Sequence, residues 1–209
     1  MVEVGQLLPH QARVKMARKR TPRRGQSGIL FSSLPRIQHP DVYVRPIEEP
    51  DLAVWSDYLR DPRVFEHTSW NLQSESELEK YVWEAQSHTP DSLFRLAVAC
   101  VHSNRLVGTF GFHTVISENR SAELAYDLAP TYWGRGIGTT GAQAFTRWAH
   151  ESARVTRVQA TVLQSNVRSR AVLERSDFVQ EGLLRSYRQV RGRPGDFWMY
   201  AHIEGRAAA

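Results

Sequence analysis

Apolar positions along the chain keep two rhythms, and the switches between them outline the elements. VYVRPI, from Val42, alternates as a short strand does and is stopped by Pro46. DLAVWSDYLRDP follows with Leu52, Val54, Trp55 and Leu59 on one side, which predicts a helix capped by Asp51 and ended by Pro62. A second helical piece is predicted from about Ser76 to Gln86, where Leu78, Tyr81, Val82 and Ala85 share a face. Three strand-like runs come next, FRLAVACV, LVGTFGFHTVI and AELAYDL, joined by the short polar turns HSNR and SENR, so the simplest arrangement is an antiparallel meander. Gly108 and Gly111 inside the middle run signal a bulge or a close backbone approach. Helical spacing returns with Ala142, Phe145, Trp148 and Ala149. A strand (RVQATVL), a helix (about Val167 to Arg175) and two strands (FVQEGLLRSY and DFWMYAHI) complete the chain, the last turn being marked by Gly192, Pro194 and Gly195. The fold class this predicts is α+β, a mostly antiparallel sheet with one strand–helix–strand crossover.

Composition changes this picture little. With 209 residues, 41% hydrophobic and 23% charged, the chain suits one domain with a substantial core. No apolar run is long enough to span a bilayer, no secretory signal pattern opens the chain, and the single cysteine excludes an intrachain disulfide. A cytoplasmic location is the expectation, with Cys100 read as a core thiol.

Charge is more local. The net +5 comes largely from RVKMARKRTPRR, residues 13–24, and the remainder is close to neutral. Residues 1–40 therefore read as a basic N-terminal extension and residues 41–205 as the domain. An arm of this kind is a candidate for contact with nucleic acid or the ribosome, but it lacks interleaved aromatics, and a solvated leader is the simpler reading.

The stretch YWGRGIGTTGAQAF, Tyr132 to Phe145, places Gly134, Gly136 and Gly138 directly before a helix. A helix N-terminus carries unsatisfied N–H groups and a partial positive charge, so removing Cβ atoms there lets an anion approach the backbone. Glycines that merely make the turn are the alternative. The spacing fits neither a dinucleotide fingerprint nor a P-loop, since no Lys-Ser/Thr follows the last glycine.

The surroundings carry a resemblance. AELAYDLAPTYWGRGIG, then a helix, then QATVLQSNVRSRAVLERSDF, is similar to the GNAT acyl-CoA N-acyltransferase superfamily over about Val42 to Ile203. The family's Gln/Arg-x-x-Gly-x-Gly/Ala motif is matched at Gly136 and Gly138, with Trp133 at its first position. Tyr-Trp-Gly-x-Gly, VGTFGFH, Asn166-x-x-Ser169 and EGLLRSY leading to DFWMYA resemble the RimJ/RimL-type branch. The resemblance implies a GNAT fold with acetyl-CoA as co-substrate and no metal. It implies that the amides of Arg135, Gly136, Ile137, Gly138 and Thr139 hold the pyrophosphate, that pantetheine lies beside Leu128 and Ala129, and that Asn166 binds the pantetheine arm. Arg170, or Arg168, would reach the 3′-phosphate.

Acyl transfer to an amine needs a neutral amine, stabilisation of an oxyanion and a proton for the departing thiolate. By the same resemblance Glu123 is the candidate base. Strand alternation sends Glu123, Ala125 and Asp127 to one face and Leu124, Tyr126 and Leu128 to the other. Ser169 is the candidate donor to the sulfur, because the tyrosine many relatives carry is replaced by Leu173. The branch's glutamate partner for that serine is replaced by Arg188. Phe65, Trp70 and Tyr187 are candidates for the acceptor site. The acceptor implied is a primary amine, foremost a protein or peptide N-terminal α-amine and next a small amine; a non-catalytic CoA-binding regulatory module is the alternative, and a homodimer is left open. His67, His102 and His113 show no metal-ligand spacing.

Overall fold

The computed structural model describes residues 33–69, 72–82 and 94–205. Seven strands form one sheet in the order β1-β2-β3-β4-β5-β7-β6. They are β1 (Val42–Arg45), β2 (Phe94–Cys100), β3 (Leu106–Ile116), β4 (Ser121–Leu128), β5 (Arg157–Leu163), β6 (Val179–Val190) and β7 (Arg193–Ile203). Every neighbouring pair is antiparallel except β4 and β5. That pair needs a crossover, supplied by helix α3 (Ile137–Ala153). Helices α1 (Asp51–Leu59) and α2 (Pro62–Phe65) precede the meander, and α4 (Val167–Glu174) joins β5 to β6. The expected α+β sheet with its crossover is present.

Period-two alternation divides the apolar residues between two cores. Leu96 and Val98 of β2 point to the α3 face, where Phe110, Phe112, Phe145 and Trp148 pack together. Ala97, between them, points to the α1 face with Trp55, Leu59 and Leu78. On the α1 face the Asp127 carboxylate is buried and accepts from Trp55 Nε1 (3.1 Å), Thr109 Oγ1 (2.9 Å) and the Tyr58 hydroxyl, with Arg95 Nη1 at 3.4 Å. Burial pushes this carboxyl up, and Arg95, Tyr58, Thr109 and Trp55 pull it back down.

Four expectations change. Asp51 does not cap α1: it is the first helical residue after Pro50, and its buried carboxylate takes both Nη atoms of Arg45 at 2.6 and 2.8 Å. Pro62 opens α2 instead of ending α1, the missing N–H suiting a first helical position. The second helical piece begins as a 3₁₀ turn, Glu75–Leu78, with Ser74 and Glu77 forming a capping box; residues 83–93 lie outside the described residues. Cys100 is only partly buried, at the end of β2, and hydrogen bonds from Ser103 and His102 bring its thiol down to about 7.

The last residues assigned to the extension pack on the domain. Pro35 is buried, Ile37 packs against the α3-face core, and Ser33 Oγ accepts from Trp148 Nε1 at 3.1 Å. The basic run at residues 13–24 lies outside the described residues.

Candidate active site at a splayed pair of strands

The β4–β5 ladder has three pairs, Ser121–Arg157, Ala122–Val158 and Glu123–Gln159, and then the strands part. The alternation on the other side of β4 decides what the gap receives. Ala129 N donates to Val107 O, so the N–H and C=O of Leu128 and Tyr126 face away from β3, into the gap. The Leu128 carbonyl is taken by Trp133 Nε1 at 2.9 Å. Trp133, the unusual first residue of the glycine motif, thereby ties the turn to the strand end. Ala129 offers no free amide here, so the edge groups available beside the gap belong to Tyr126 and Leu128.

At the end of the gap stands the N-terminus of α3. Gly136 is its N-cap at φ 82°, Gly134 has φ 77°, and a Cβ on either would meet nothing within 4 Å. These glycines are required by backbone conformation, and the space beside them is open. Gly138 differs. A Cβ there would lie 3.0 Å from Val172 Cγ2, so its smallness serves the packing of α3 against α4. The first intrahelical bond is Thr140 N to Gly136 O, and no side chain caps the helix. The N–H groups of Ile137, Gly138 and Thr139 are thus left for a ligand or water.

A cleft of about 750 Å³ runs from this mouth along the gap, lined by Leu128, Trp133, Gly136, Ile137, Thr139 and Val172 among others. Arg168, stacked 4.6 Å over the Trp133 ring, and Arg175 also line it. Arg170 does not: its Nε donates to Tyr200 at 3.3 Å, turned away from the cleft. Arg135 lies over the Tyr132 ring, and its carbonyl accepts from His39 Nε2 at 2.9 Å.

A second chamber of about 330 Å³ lies on the α1 side, and Tyr126, Ser169, Asn166, His67 and Thr68 line both. At this junction the Tyr126 hydroxyl and Ser169 Oγ share a 2.7 Å hydrogen bond. Burial pushes the Tyr126 phenol well up, so it stays protonated through the neutral range. Asn166 braces the junction, where Oδ1 accepts from Ser169 N at 3.0 Å and Nδ2 donates to His67 O at 3.0 Å, and the residue also lines both chambers. Glu123 lines the second chamber. Its Oε1 accepts from Thr161 (2.7 Å) and from Arg188 Nη2 (2.8 Å), while Oε2 has no partner among the described residues. The glutamate-to-arginine departure at Arg188 thus acquires a carboxylate partner across the sheet.

The predicted acceptor residues fare less well. Phe65 serves as a platform for Arg191, whose Nη1 also bonds the Phe65 and Thr68 carbonyls. Arg63, Val64, His67 and Thr68 are what α2 and its following turn present to the large cleft. Tyr187 is 41% exposed, packs edge-on against Phe197 and lines neither chamber. Trp70 lies outside the described residues. Tyr126 is the residue sequence reasoning missed. Alternation put it on the correct face, but its contact with Ser169 spans 43 positions and leaves no local signal. Among the described residues no group of three His, Cys, Asp or Glu side chains converges on a metal position, and no helix is long and apolar enough to cross a membrane.

A sequence profile described as "Acetyltransferase (GNAT) domain" matches residues 41–179. An uncharacterized N-acetyltransferase p20 of Bacillus licheniformis is 31% identical over 110 residues, 53% of this chain and 62% of its own length. The chain thus spans under two thirds of that relative. Among solved structures, a RimL ribosomal L7/L12 alpha-N-protein acetyltransferase in complex with coenzyme A superposes with TM-score 0.68 at 21% identity, covering 79% of this chain and 95% of the other. Spermidine N-acetyltransferase from Vibrio cholerae, in complex with CoA and spermine, gives 0.69 at 19% identity, covering 79% and 97%.

Proposed function

Because the chain belongs to the GNAT acetyltransferase family, we propose that it moves an acetyl group from acetyl-CoA directly to a primary amine, foremost an α-amine at a peptide or protein N-terminus. The observation that carries this reading is the continuity of three features: an uncapped helix mouth, an edge of strand with unpaired amides, and a hydroxyl pair where two chambers meet. The residues fit the co-substrate. Ile137, Gly138 and Thr139 offer amides to a pyrophosphate, Arg168 and Arg175 offer charge at the rim, and Tyr126 and Leu128 offer edge groups to an amide-bearing arm. Acetyl-CoA supplies an activated acetyl group on a thiol leaving group.

The chain's own groups then divide the work. Glu123 Oε2 accepts the proton the amine must lose, directly or through water, while Thr161 and Arg188 hold the other oxygen in place. The Tyr126–Ser169 hydroxyl pair donates a proton to the departing sulfur, the raised phenol ensuring that the donor is loaded. The amine gains a C–N bond as the C–S bond breaks. The acceptor approaches from the smaller chamber and the carrier from the larger, which fits transfer in a ternary complex without an acylated side chain. The α-amine preference draws on the likeness to the RimL structure and on the lower basicity of α-amines relative to lysine.

The test is calorimetric titration with CoA and acetyl-CoA, followed by a thiol-release assay over peptides and small amines. Binding with acetylated product supports the proposal; binding without transfer to any amine would leave only a carrier-binding module.

A further inference from the structure

The smaller chamber is unusually basic for a site that receives an amine. Lys80, Arg95, Arg188 and His113 line it, against one lining carboxylate among the described residues, Glu123. Glu123 is already paired with Arg188. Arg95 is 5% exposed and bonds only through Nη1, to Thr109, the Ala125 carbonyl and Asp127. Its Nε and Nη2 make no bond among the described residues. Lys80 has no acidic partner among them, resting its ammonium 5.0 Å from the Tyr81 ring.

A polycation entering here would meet Lys80, which has no acidic partner among the described residues, and Arg95, whose only carboxylate partner among them, Asp127, is reached through Nη1 alone. A primary amine accompanied by a carboxylate would place that carboxylate against Lys80 and the spare donors of Arg95, where charge-assisted hydrogen bonds are strongest. The free oxygen of Glu123 remains for the amine. We infer that the acceptor is a primary amine carrying a nearby carboxylate, as in a free α-amino acid or a peptide with an acidic residue beside its N-terminus, and that polyamines are excluded. Leu124, Val162, Leu163 and Phe197 make the remaining wall apolar. The volume suits a single amino acid or the first two residues of a peptide. Desolvation is the main cause that holds the His113 imidazole low; Glu123 pulls the other way, and Arg188, Arg95 and Lys80 add smaller contributions in the same direction as burial.

This inference rests on the transferase reading, yet it is measurable without turnover. N-acetylleucine and N-acetylleucinamide are titrated into the CoA-loaded protein, alongside N-acetylated tripeptides with aspartate or asparagine in second place. The carboxylate member of at least one pair is expected to bind at least tenfold tighter, with the amino-acid and peptide arms telling the two sources apart. Lys80→Gln should reduce that preference at least threefold while leaving CoA affinity unchanged. In the thiol-release assay leucine should exceed leucinamide, and spermidine should release no thiol above background. Equal or tighter binding of the neutral members in both arms, or acetylation of spermidine, would overturn the inference. A protein that prefers the carboxylate ligands but transfers to no amine would keep the inference about the chamber and sink the transferase reading alone.

Discussion

Alanine at Gly136 and at Gly192 separates a phosphate cradle from a mere turn. Both glycines sit in the left-handed region, at φ 82° and 75°, and a Cβ on either would meet nothing within 4 Å. The conformational penalty is therefore the same at both, about 1–2 kcal/mol for an L-residue in that region. For a chain of this size each kcal/mol lowers Tm by about 2–4 °C, so each variant should lose about 2–8 °C. Their positions differ. Gly192 forms the β6–β7 hairpin tip with Arg191, outside both chambers, whereas Gly136 opens onto the large cleft at the first turn of α3. A methyl group at Gly136 would hold a phosphate off the helix amides. Losing one hydrogen bond to a charged group costs about 1.5–3 kcal/mol, which is about 10- to 150-fold in Kd. Differential scanning fluorimetry measures the shared strain, and calorimetric titration with CoA measures the difference. Equal Tm losses with an unchanged CoA affinity for Gly136→Ala would show that the open mouth of α3 binds nothing.

Four further outcomes follow from the same geometry. Tyr126→Phe should lower kcat by about 100-fold or more, the usual scale for a positioned proton donor, with the KM for acetyl-CoA little changed; an unaltered kcat in single-turnover acetylation would remove the phenol from the reaction. Glu123→Gln should lower turnover near neutral pH and recover as pH rises and free amine accumulates; a constant wild-type-to-variant ratio across the pH profile would show that Glu123 is not the base. Asp127→Asn keeps the shape but leaves Arg95 without its carboxylate, and should cost about 3–5 kcal/mol in urea denaturation. Because the native Asp127 carboxyl is raised, the folded state binds its proton more readily than the unfolded one. The stability this contributes is fully present below the ordinary carboxylate range and is lost as pH rises through the raised native value, so the wild type should weaken across that window and the asparagine variant should not. A chain beginning at Ser33 should match the full chain in Tm and CoA affinity, whereas one beginning at Asp41 loses the Ile37 and Pro35 packing and about 2–3 kcal/mol, read as a lower Tm.

Periodicity exposed the elements whose face is decided locally. The two-residue rhythm of ELAYDL assigned Glu123 and Tyr126 to opposite faces, and both do line the site from those faces. The glycine turn was readable because a left-handed N-cap restricts the residue type sharply. What stayed hidden depends on partners distant in the chain. Arg188 looked like a lost glutamate until β6 brought it to Glu123 across 65 positions. A register shift between Leu184 and Arg188, with Ser186 at φ 51° and its N–H held by Asp196 Oδ1, precedes that contact. Such a bulge re-aims a side chain without any composition cue. Asp51 and Pro62 misled for a local reason: each is a common helix-boundary residue that serves more than one position. Pro62 was read as a stop when it is a start, and Asp51 as a cap when a buried arginine claims its carboxylate. Arg168 and Arg170 differ only in their helix phase, and only packing shows which one faces the cleft.

The site ultimately depends on a sheet that fails to close. Once β4 and β5 part after Glu123, Tyr126 and Leu128 present backbone groups that a continued ladder would have satisfied. Unpaired strand edges are costly when dry, and the protein answers part of that cost itself, since Trp133 caps the Leu128 carbonyl; the side chain of Tyr126 crosses to Ser169 on α4 and leaves its own edge amide and carbonyl open. Neither contact spans the gap with backbone, so the opening persists. Asn166 fastens α4 to the His67 carbonyl on one side, while Arg191 fastens the same turn to the β6–β7 hairpin on the other. These ties fix the turn that borders both chambers beside Tyr126 and Ser169. A ligand entering the gap meets groups already aligned for it, and little ordering remains to be done on binding. The same rigidity holds Glu123, at the last pair of the ladder, on the acceptor side of the opening, one alternation away from the tyrosine on the carrier side. The register of a single strand thus sets the Glu123 carboxylate and the Tyr126 phenol, the proton acceptor and donor of the proposed reaction, on opposite faces of β4.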